Sequence, residues 1–481
     1  MSSVDPPAPS ATPVPFGVLA TTGEPRSPLA ESDLDQMAAD SGVVLQRAKS
    51  EKKLGFDSSV DDETDLSQTG WGVLFASDAD PAIKAALQPL LDWRRSQVND
   101  DKLFKIFEGK AGVRPAQTAS SWVSGKGVSL VAPVSPAKGV PYYLLIVGSP
   151  LRIPFEFQAL LDLQWAVGRL HFDQIGDYAA YAEQVVAYEK GQAPPQSKHT
   201  AMWVTRNPGD MATALLAGSV CPDFLGQTGD GTKPLGSRQQ FRLSSFCGDG
   251  QATKAKLASI LRGEIDGGRP SILFTGSHGA EWPMQDAAQQ RRRQGALVTQ
   301  EWSRGQALNE DNCFEASDVT ADAQLHGTMV FIFSCFGGGC PDTDSYRRDH
   351  AGDKIPIAPE PLIAALPQAL LRQGALAVIA HIDRAFTYGF EDALGSPQVQ
   401  LFRTPLELLM KGKPIGFAAD PFNLQWGTLA AQIGLAQSGN LADNPNPSKG
   451  LMLNLFIARD DARNYIVLGD PATRLRIDAM T

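Results

Sequence analysis

The feature that most limits what this chain can become is a series of short, almost wholly apolar segments separated by helical ones. AMWVT (Ala201–Thr205), FRLSSF (Phe241–Phe246), SILFTG (Ser271–Gly276), MVFIFS (Met329–Ser334), ALAVIA (Ala375–Ala380) and YIVLG (Tyr465–Gly469) read as strands. Helical runs such as ATKAKLASILRG and PLIAALPQALLRQG lie between several of them. Strands without polar alternation need cover on both faces, which a mainly parallel sheet between layers of helices supplies. The same texture occurs earlier. WGVLFAS (Trp71–Ser77) leads into a helical run opening at Pro81, and YYLLIVG (Tyr142–Gly148) into a helix that Asp177 can cap and Gly191 can close. Tyr178, Tyr181, Ala182, Val185 and Val186 share one face of that helix.

Three regions follow. Residues 1–68 are rich in Pro, Ser, Asp and Ala and poor in aromatic residues. Such a segment buries too little apolar surface to offset its ordering entropy, so it is expected to be largely disordered or regulatory. Part of it could still dock, since FGVLA (Phe16–Ala20) is a short strand-like run. Residues 69–195 are expected to form a first, non-catalytic α/β subdomain. Residues 196–481, beyond the linker-like GQAPPQSK (Gly191–Lys198), are expected to form the catalytic one.

Composition removes several function classes. A formal net charge of −10 over 481 residues argues against a nucleic-acid partner. No apolar stretch approaches a membrane span, and MSSVDPPAPSATPVP lacks the basic and apolar regions of a signal peptide. The five cysteines show no CxxC spacing and predict neither a disulfide framework nor a zinc site. A reducing, cytoplasmic setting without metal is therefore the expectation. Cys221, Cys247 and Cys313 read as inert buried thiols.

Ligands of such sheets bind beyond the carboxyl ends of the strands. SILFTG runs into Ser277-His278-Gly279, and MVFIFS runs into Cys335 followed by Gly337–Gly339. An imidazole beside a thiol at one rim can lower the thiol pKa and later protonate a leaving amine. Gly279 and the glycine run allow close main-chain approach to a substrate. Cys340 is the competing thiol, but strand geometry no longer fixes its direction.

SILFTGSHG followed by VFIFSC resembles the paired signature of the caspase-like cysteine peptidases, the clan of caspases, gingipains, separase, legumain and CHAT domains. YYLLIVGSPLRIPFEFQALLDLQWAVGRL, DYAAYAEQVVAYEK, GALAVIAHIDRAFTYGF and YIVLGDPATRLR are similar to gingipain-type stretches. The resemblance implies an α/β, caspase/gingipain-like fold with a mainly parallel sheet, helices on both faces and two α/β subdomains. It further implies peptide hydrolysis through an acyl-enzyme without a cofactor. Cys335 would be the nucleophile and His278 the base, and the N–H groups of Cys335 and Gly279 would form the oxyanion hole. Gingipains are secreted, so the missing signal peptide points to a regulated intracellular role with a protein substrate and a regulatory protein partner.

Specificity is open at this point. Asp383 is the first candidate to pair an incoming arginine, followed by Asp342 and Asp344, with Asp230 read as a solvated loop carboxylate. If His381 faces the pocket instead, an acidic or neutral residue is favoured. Arg291-Arg292-Arg293, a basic tripeptide within the polar insertion QDAAQQRRRQGALVTQ between His278 and Cys335, reads as a solvated loop or a processing site. Two rival functions remain: a catalytically silent caspase-fold scaffold, and a cysteine hydrolase of small-molecule amides.

Overall fold

A computed structural model describes residues 14–30, 33, 56, 59–192, 196–248, 250–392, 397–439 and 447–481. Much of the expected N-terminal region, 1–68, therefore lies outside the described residues. The strands, in chain order, begin with β1 (Gly17–Leu19), β2 (Trp71–Phe75), β3 (Phe104–Phe107), β4 (Tyr143–Val147), β5 (Ala166–Leu170) and β6 (His199–Val204). They continue with β7 (Arg242–Cys247), β8 (Ile272–Gly276), β9 (Gly279–Glu281), β10 (Leu297–Val298), β11 (Cys313–Phe314) and β12 (Met329–Phe333). The last are β13 (Gly339–Cys340), β14 (Thr343–Arg348), β15 (Lys354–Pro356), β16 (Leu362–Ile363), β17 (Ala377–His381) and β18 (Tyr465–Gly469).

Ten of these form one sheet in the order β3-β2-β4-β5-β18-β17-β12-β8-β6-β7. Neighbours are parallel throughout except where β18 meets β17. The sheet is thus two parallel five-stranded halves running in opposite senses. The C-terminal strand β18 extends the half built from residues 71–170. Every residue of β2, β4, β5, β6, β8, β12, β17 and β18 is buried, as strands covered by helices on both faces must be.

A buried ion cluster fastens this first half. The Arg94 guanidinium donates to Asp470 Oδ2 at 2.7 Å and to both carboxylate oxygens of Glu189, at 2.6 and 2.7 Å. Asp470 Oδ1 accepts from the Trp71 indole N–H at 2.9 Å, and the Asp470 main-chain N–H donates to Tyr181 Oη at 2.7 Å. The cluster ties together β2, the turn after β18 and the helices Gln88–Val98 and Ile175–Glu189.

Several sequence expectations change. The helix expected to be capped by Asp177 begins two residues earlier, at Ile175, so Asp177 lies in its first turn, where it faces the positive end of the helix dipole. The basic tripeptide is not a loop: Ala287–Arg293 is a helix. Arg291 pairs with Glu360, and Arg293 pairs with Glu315 while stacking over Trp282. Cys221 and Cys247 are joined as a disulfide between the helix Met211–Leu225 and β7, so these two are not the isolated thiols the spacing suggested. Cys313 is free and buried, and burial pushes its thiol up to about 12. Residues 14–30, which contain the strand-like run FGVLA, are docked on the body. Phe16, Val18, Ala20 and Leu29 are buried, because the body offers apolar partners that composition alone cannot show. Among the described residues no helix is long and apolar enough to cross a membrane.

Replacing Asp470 with Ala should cost about 1–3 kcal/mol: Arg94 keeps its pairing with Glu189, but its Nε, the Trp71 indole N–H and the Ala472 main-chain N–H lose their buried acceptor. Urea unfolding monitored by tryptophan fluorescence checks this, and a loss below about 1 kcal/mol would mean that the cluster is not structural.

Candidate active site

The register of two neighbouring strands builds the site. β8 and β12 pair from Ile272↔Met329 to Gly276↔Phe333, so His278 and Cys335 each stand two residues past the last pair, on the same edge. The Ser277 N–H extends the ladder to Phe333 O at 3.1 Å. The chain then turns sharply at Phe336, whose φ of 57° lies in the left-handed region that L-residues rarely adopt. That conformation is pinned from the end of β17: Phe336 N–H donates to Asp383 O and Gly338 N–H to His381 O, both at 2.8 Å. Gly279 is required by close packing, since a Cβ there would fall 1.8 Å from Cys335 O.

His278 is fully buried. Its Nε2 lies 2.9 Å from Asp210 Oδ2, the rings of Phe16 and Trp302 flank it at 5.6 and 5.7 Å, and among the described residues its Nδ1 has no hydrogen-bond partner. Asp210 is the N-cap of the helix Met211–Leu225, and its Oδ2 also accepts from the Thr213 N–H at 2.9 Å and the Thr213 hydroxyl at 2.7 Å. Burial alone would raise the Asp210 pKa, but His278 and the Thr213 bonds together bring it down to about 2. The sequence reading did not name Asp210. Asp followed by Thr three residues later, ahead of an apolar helix, signals a cap but not what the free face of that cap will meet.

The Cys335 thiol accepts from the Ala385 N–H at 3.2 Å and donates to Ala385 O at 3.6 Å. It is not on an open rim. The segment Pro15–Leu19 crosses it as an extended strand: Pro15 bridges Phe386 antiparallel, Phe16 N–H donates to Ala385 O at 2.9 Å, and β1 pairs parallel with β9. A Cβ built on Gly17 would lie 3.4 Å from Cys335 Sγ. The N–H groups of Gly279 and Cys335 converge on one oxygen, the carbonyl of Phe16, at 2.8 and 3.4 Å. Farther along the chain, Arg26 pairs with the buried Glu281. Under this cover, burial raises the Cys335 thiol pKa well above its usual value and keeps it neutral.

The side chains expected to bind substrate, apart from Asp342, are engaged by the chain's own groups. His381 is fully buried, its Nδ1 2.9 Å from Asp383 O and its Nε2 3.1 Å from Asp461 O, so it presents nothing to an incoming side chain. Asp344 is already neutralised by the chain's own Arg384, which binds it through both terminal nitrogens. Asp383 Oδ2 accepts from the Ser345 hydroxyl and Oδ1 from the Arg384 N–H, and burial raises its pKa. Asp342 is exposed. These three carboxylates line a cavity of about 580 Å³ that neither Cys335 nor His278 borders. Cys340 lies in β13 with its thiol donating to Pro341 O at 3.2 Å, and burial raises its pKa well above the usual value.

No family model and no curated protein matches the chain. Several solved structures resemble its fold. One, described as a protease, is 13% identical with a TM-score of 0.45, covering 85% of this chain and 78% of that one. A complex of the pro- and mature domains of Porphyromonas gingivalis RgpB is 12% identical with a TM-score of 0.41, over 85% and 80% of the respective chains. The Saccharomyces cerevisiae separase–securin complex is 11% identical with a TM-score of 0.32, and the match spans only 16% of that chain. At this distance the likeness concerns architecture, and function has to be argued from the site.

Proposed function

We propose that the protein is a caspase-like cysteine peptidase with Cys335 as nucleophile and His278 as general base. The observation that carries this reading is the convergence of the Gly279 and Cys335 N–H groups on a peptide carbonyl lying beside the thiol. Two donors aimed at one oxygen are what an acyl-transfer site needs to hold a developing oxyanion. His278 Nδ1 takes the thiol proton, and the thiolate attacks the carbonyl carbon. The tetrahedral oxyanion rests on the two N–H groups. The C–N bond then breaks as the imidazolium returns its proton to the leaving amine, and water hydrolyses the thioester to a carboxylate and the free thiol. Asp210 fixes the ring through Nε2 and stabilises the imidazolium, as a buried carboxylate does behind a catalytic histidine.

The occupant of the cleft is extended main chain bonded on both sides, at Ala385 and along β9, which favours a polypeptide substrate over a compact small-molecule amide. An assembled Cys, His and Asp set with oriented donors favours an enzyme over a silent scaffold. All of these groups fall within 196–481, the part of the chain we assign to catalysis.

Because Pro15–Leu19 covers the thiol, activity is best read in a Phe16→Asp chain, whose segment loses its apolar anchor. In that background Cys335→Ala should abolish peptide cleavage with little change in melting temperature, whereas Cys340→Ala should retain substantial activity. Equal loss from both would reject Cys335 as the nucleophile. Asp210→Asn should lower kcat by roughly 10²–10⁴-fold with KM little changed. The wild-type carboxylate has its pKa depressed to about 2, so the stability it contributes is present above its unfolded pKa and fades as pH falls through about 2. Acid unfolding of the two chains checks that sign: their stability difference should shrink towards pH 2.

A further inference from the structure

The segment across the cleft also indicates which substrates fit it. Since the carbonyl of Phe16 occupies the anion-binding position, the Phe16 side chain occupies the place of the residue immediately before the bond to be cut. That ring is fully buried. It packs edge-on against Phe333 at 4.8 Å and Phe390 at 5.8 Å, and lies tilted against His278 at 5.6 Å. Phe402 closes the recess from behind, 5.0 Å from Phe333 and 6.3 Å from Phe390.

The main chain fixes this placement. Phe16 donates to Ala385 O on one side and accepts from Gly279 and Cys335 on the other, so any peptide bound the same way sends the same side chain into the same recess. Three phenyl walls gain from burying another aromatic surface and from edge-to-face contact. A guanidinium or carboxylate placed there would be desolvated against three phenyl rings, which offer it no counter-charge. The carboxylates that could have served arginine, Asp344 and Asp383, are engaged by Arg384 and Ser345. The next position is less restricted, because a Cβ on Gly17 would make only ordinary contacts, 3.4 Å to Cys335 Sγ and 3.7 Å to the Arg26 side chain.

We propose that the cleft takes polypeptides with an aromatic residue immediately before the scissile bond, and that the chain's own Phe16 holds this place until the segment withdraws. The proposal rests on the cysteine-peptidase reading and adds the substrate class.

The test is a peptide library with Phe, Leu, Arg or Asp fixed at that position and products identified by mass spectrometry. It is run with the intact chain, with Phe16→Asp, and with the milder Phe16→Ala in case Asp prevents folding. In a folded release variant, peptides with Phe should be cleaved at least about tenfold faster in kcat/KM than matched Arg or Asp peptides, and faster than by the intact chain. That cleavage should vanish with Cys335→Ala. Cys335-dependent cleavage that is equal or faster after Arg or Asp would overturn the aromatic pocket and leave the peptidase reading standing. A folded release variant showing no Cys335-dependent cleavage of any peptide would overturn the peptidase reading, and this proposal with it.

Discussion

The in-register parallel pairing of β8 with β12 is the constraint on which the site depends. With Gly276 opposite Phe333, equal offsets of two residues bring His278 and Cys335 to one edge, and a slip of one residue would send one of them to the other face. The next pairing outward works in the same way. β6 runs parallel to β8 with Val204 opposite Gly276, so the chain leaving β6 passes beside His278 before Asp210 caps the following helix. On the inner side, β17 pairs with β12, and the carbonyls of His381 at its end and of Asp383 just beyond it meet the turn after Cys335, holding Phe336 in its left-handed conformation. Strain of that kind persists only where neighbouring structure over-determines it. Three adjacent ladders therefore deliver a thiol, an imidazole, a carboxylate and two oriented N–H donors.

The same geometry explains why the thiol is covered. An unpaired edge at β9, two inward N–H donors and an aromatic recess form a surface that any extended chain with a suitable side chain can complete. Here the protein's own residues 15–19 complete it. Burial of the Phe16 ring contributes about 2–3 kcal/mol to the docking. Val18 and Ala20 bury against Trp282, Trp302 and Leu308, and Arg26 closes on Glu281. Burial keeps Cys335 protonated while the segment is in place. Its withdrawal would restore both access and the hydration a thiolate requires.

Legibility in the sequence followed physical type. Strands such as SILFTG and MVFIFS could be read because uninterrupted apolar runs have few other solutions. AVGRL, which forms β5, contains a glycine and an arginine and so does not stand out as an uninterrupted apolar run. Arg169 is tolerated inside the sheet by bonds to Gln158, Gly148 O and Pro154 O that only the fold supplies. His278 and Cys335 could be found because each directly follows such a run. Asp383 and Asp344 were plausible carboxylates until the fold placed Ser345 and Arg384 against them, and adjacency in sequence does not say which neighbour a side chain will pair with. In the N-terminal region the strand-like run FGVLA could be read, but not where it docks: composition averaged over 68 residues is that of a loose or regulatory tail, and the few apolar residues that dock are diluted in that average.

The central claim is that Cys335 is a nucleophile held under a substrate-like strand. Alkylation with isotope-coded iodoacetamide, followed by peptide mapping, tests it most directly in the intact chain and in Phe16→Asp. The account predicts that Cys335 labels slowly in the intact chain and becomes the fastest-labelled cysteine in the variant, while Cys313 and Cys340 stay slow in both. Unchanged labelling of Cys335 between the two folded chains, or faster labelling of Cys340 in the variant, would contradict it.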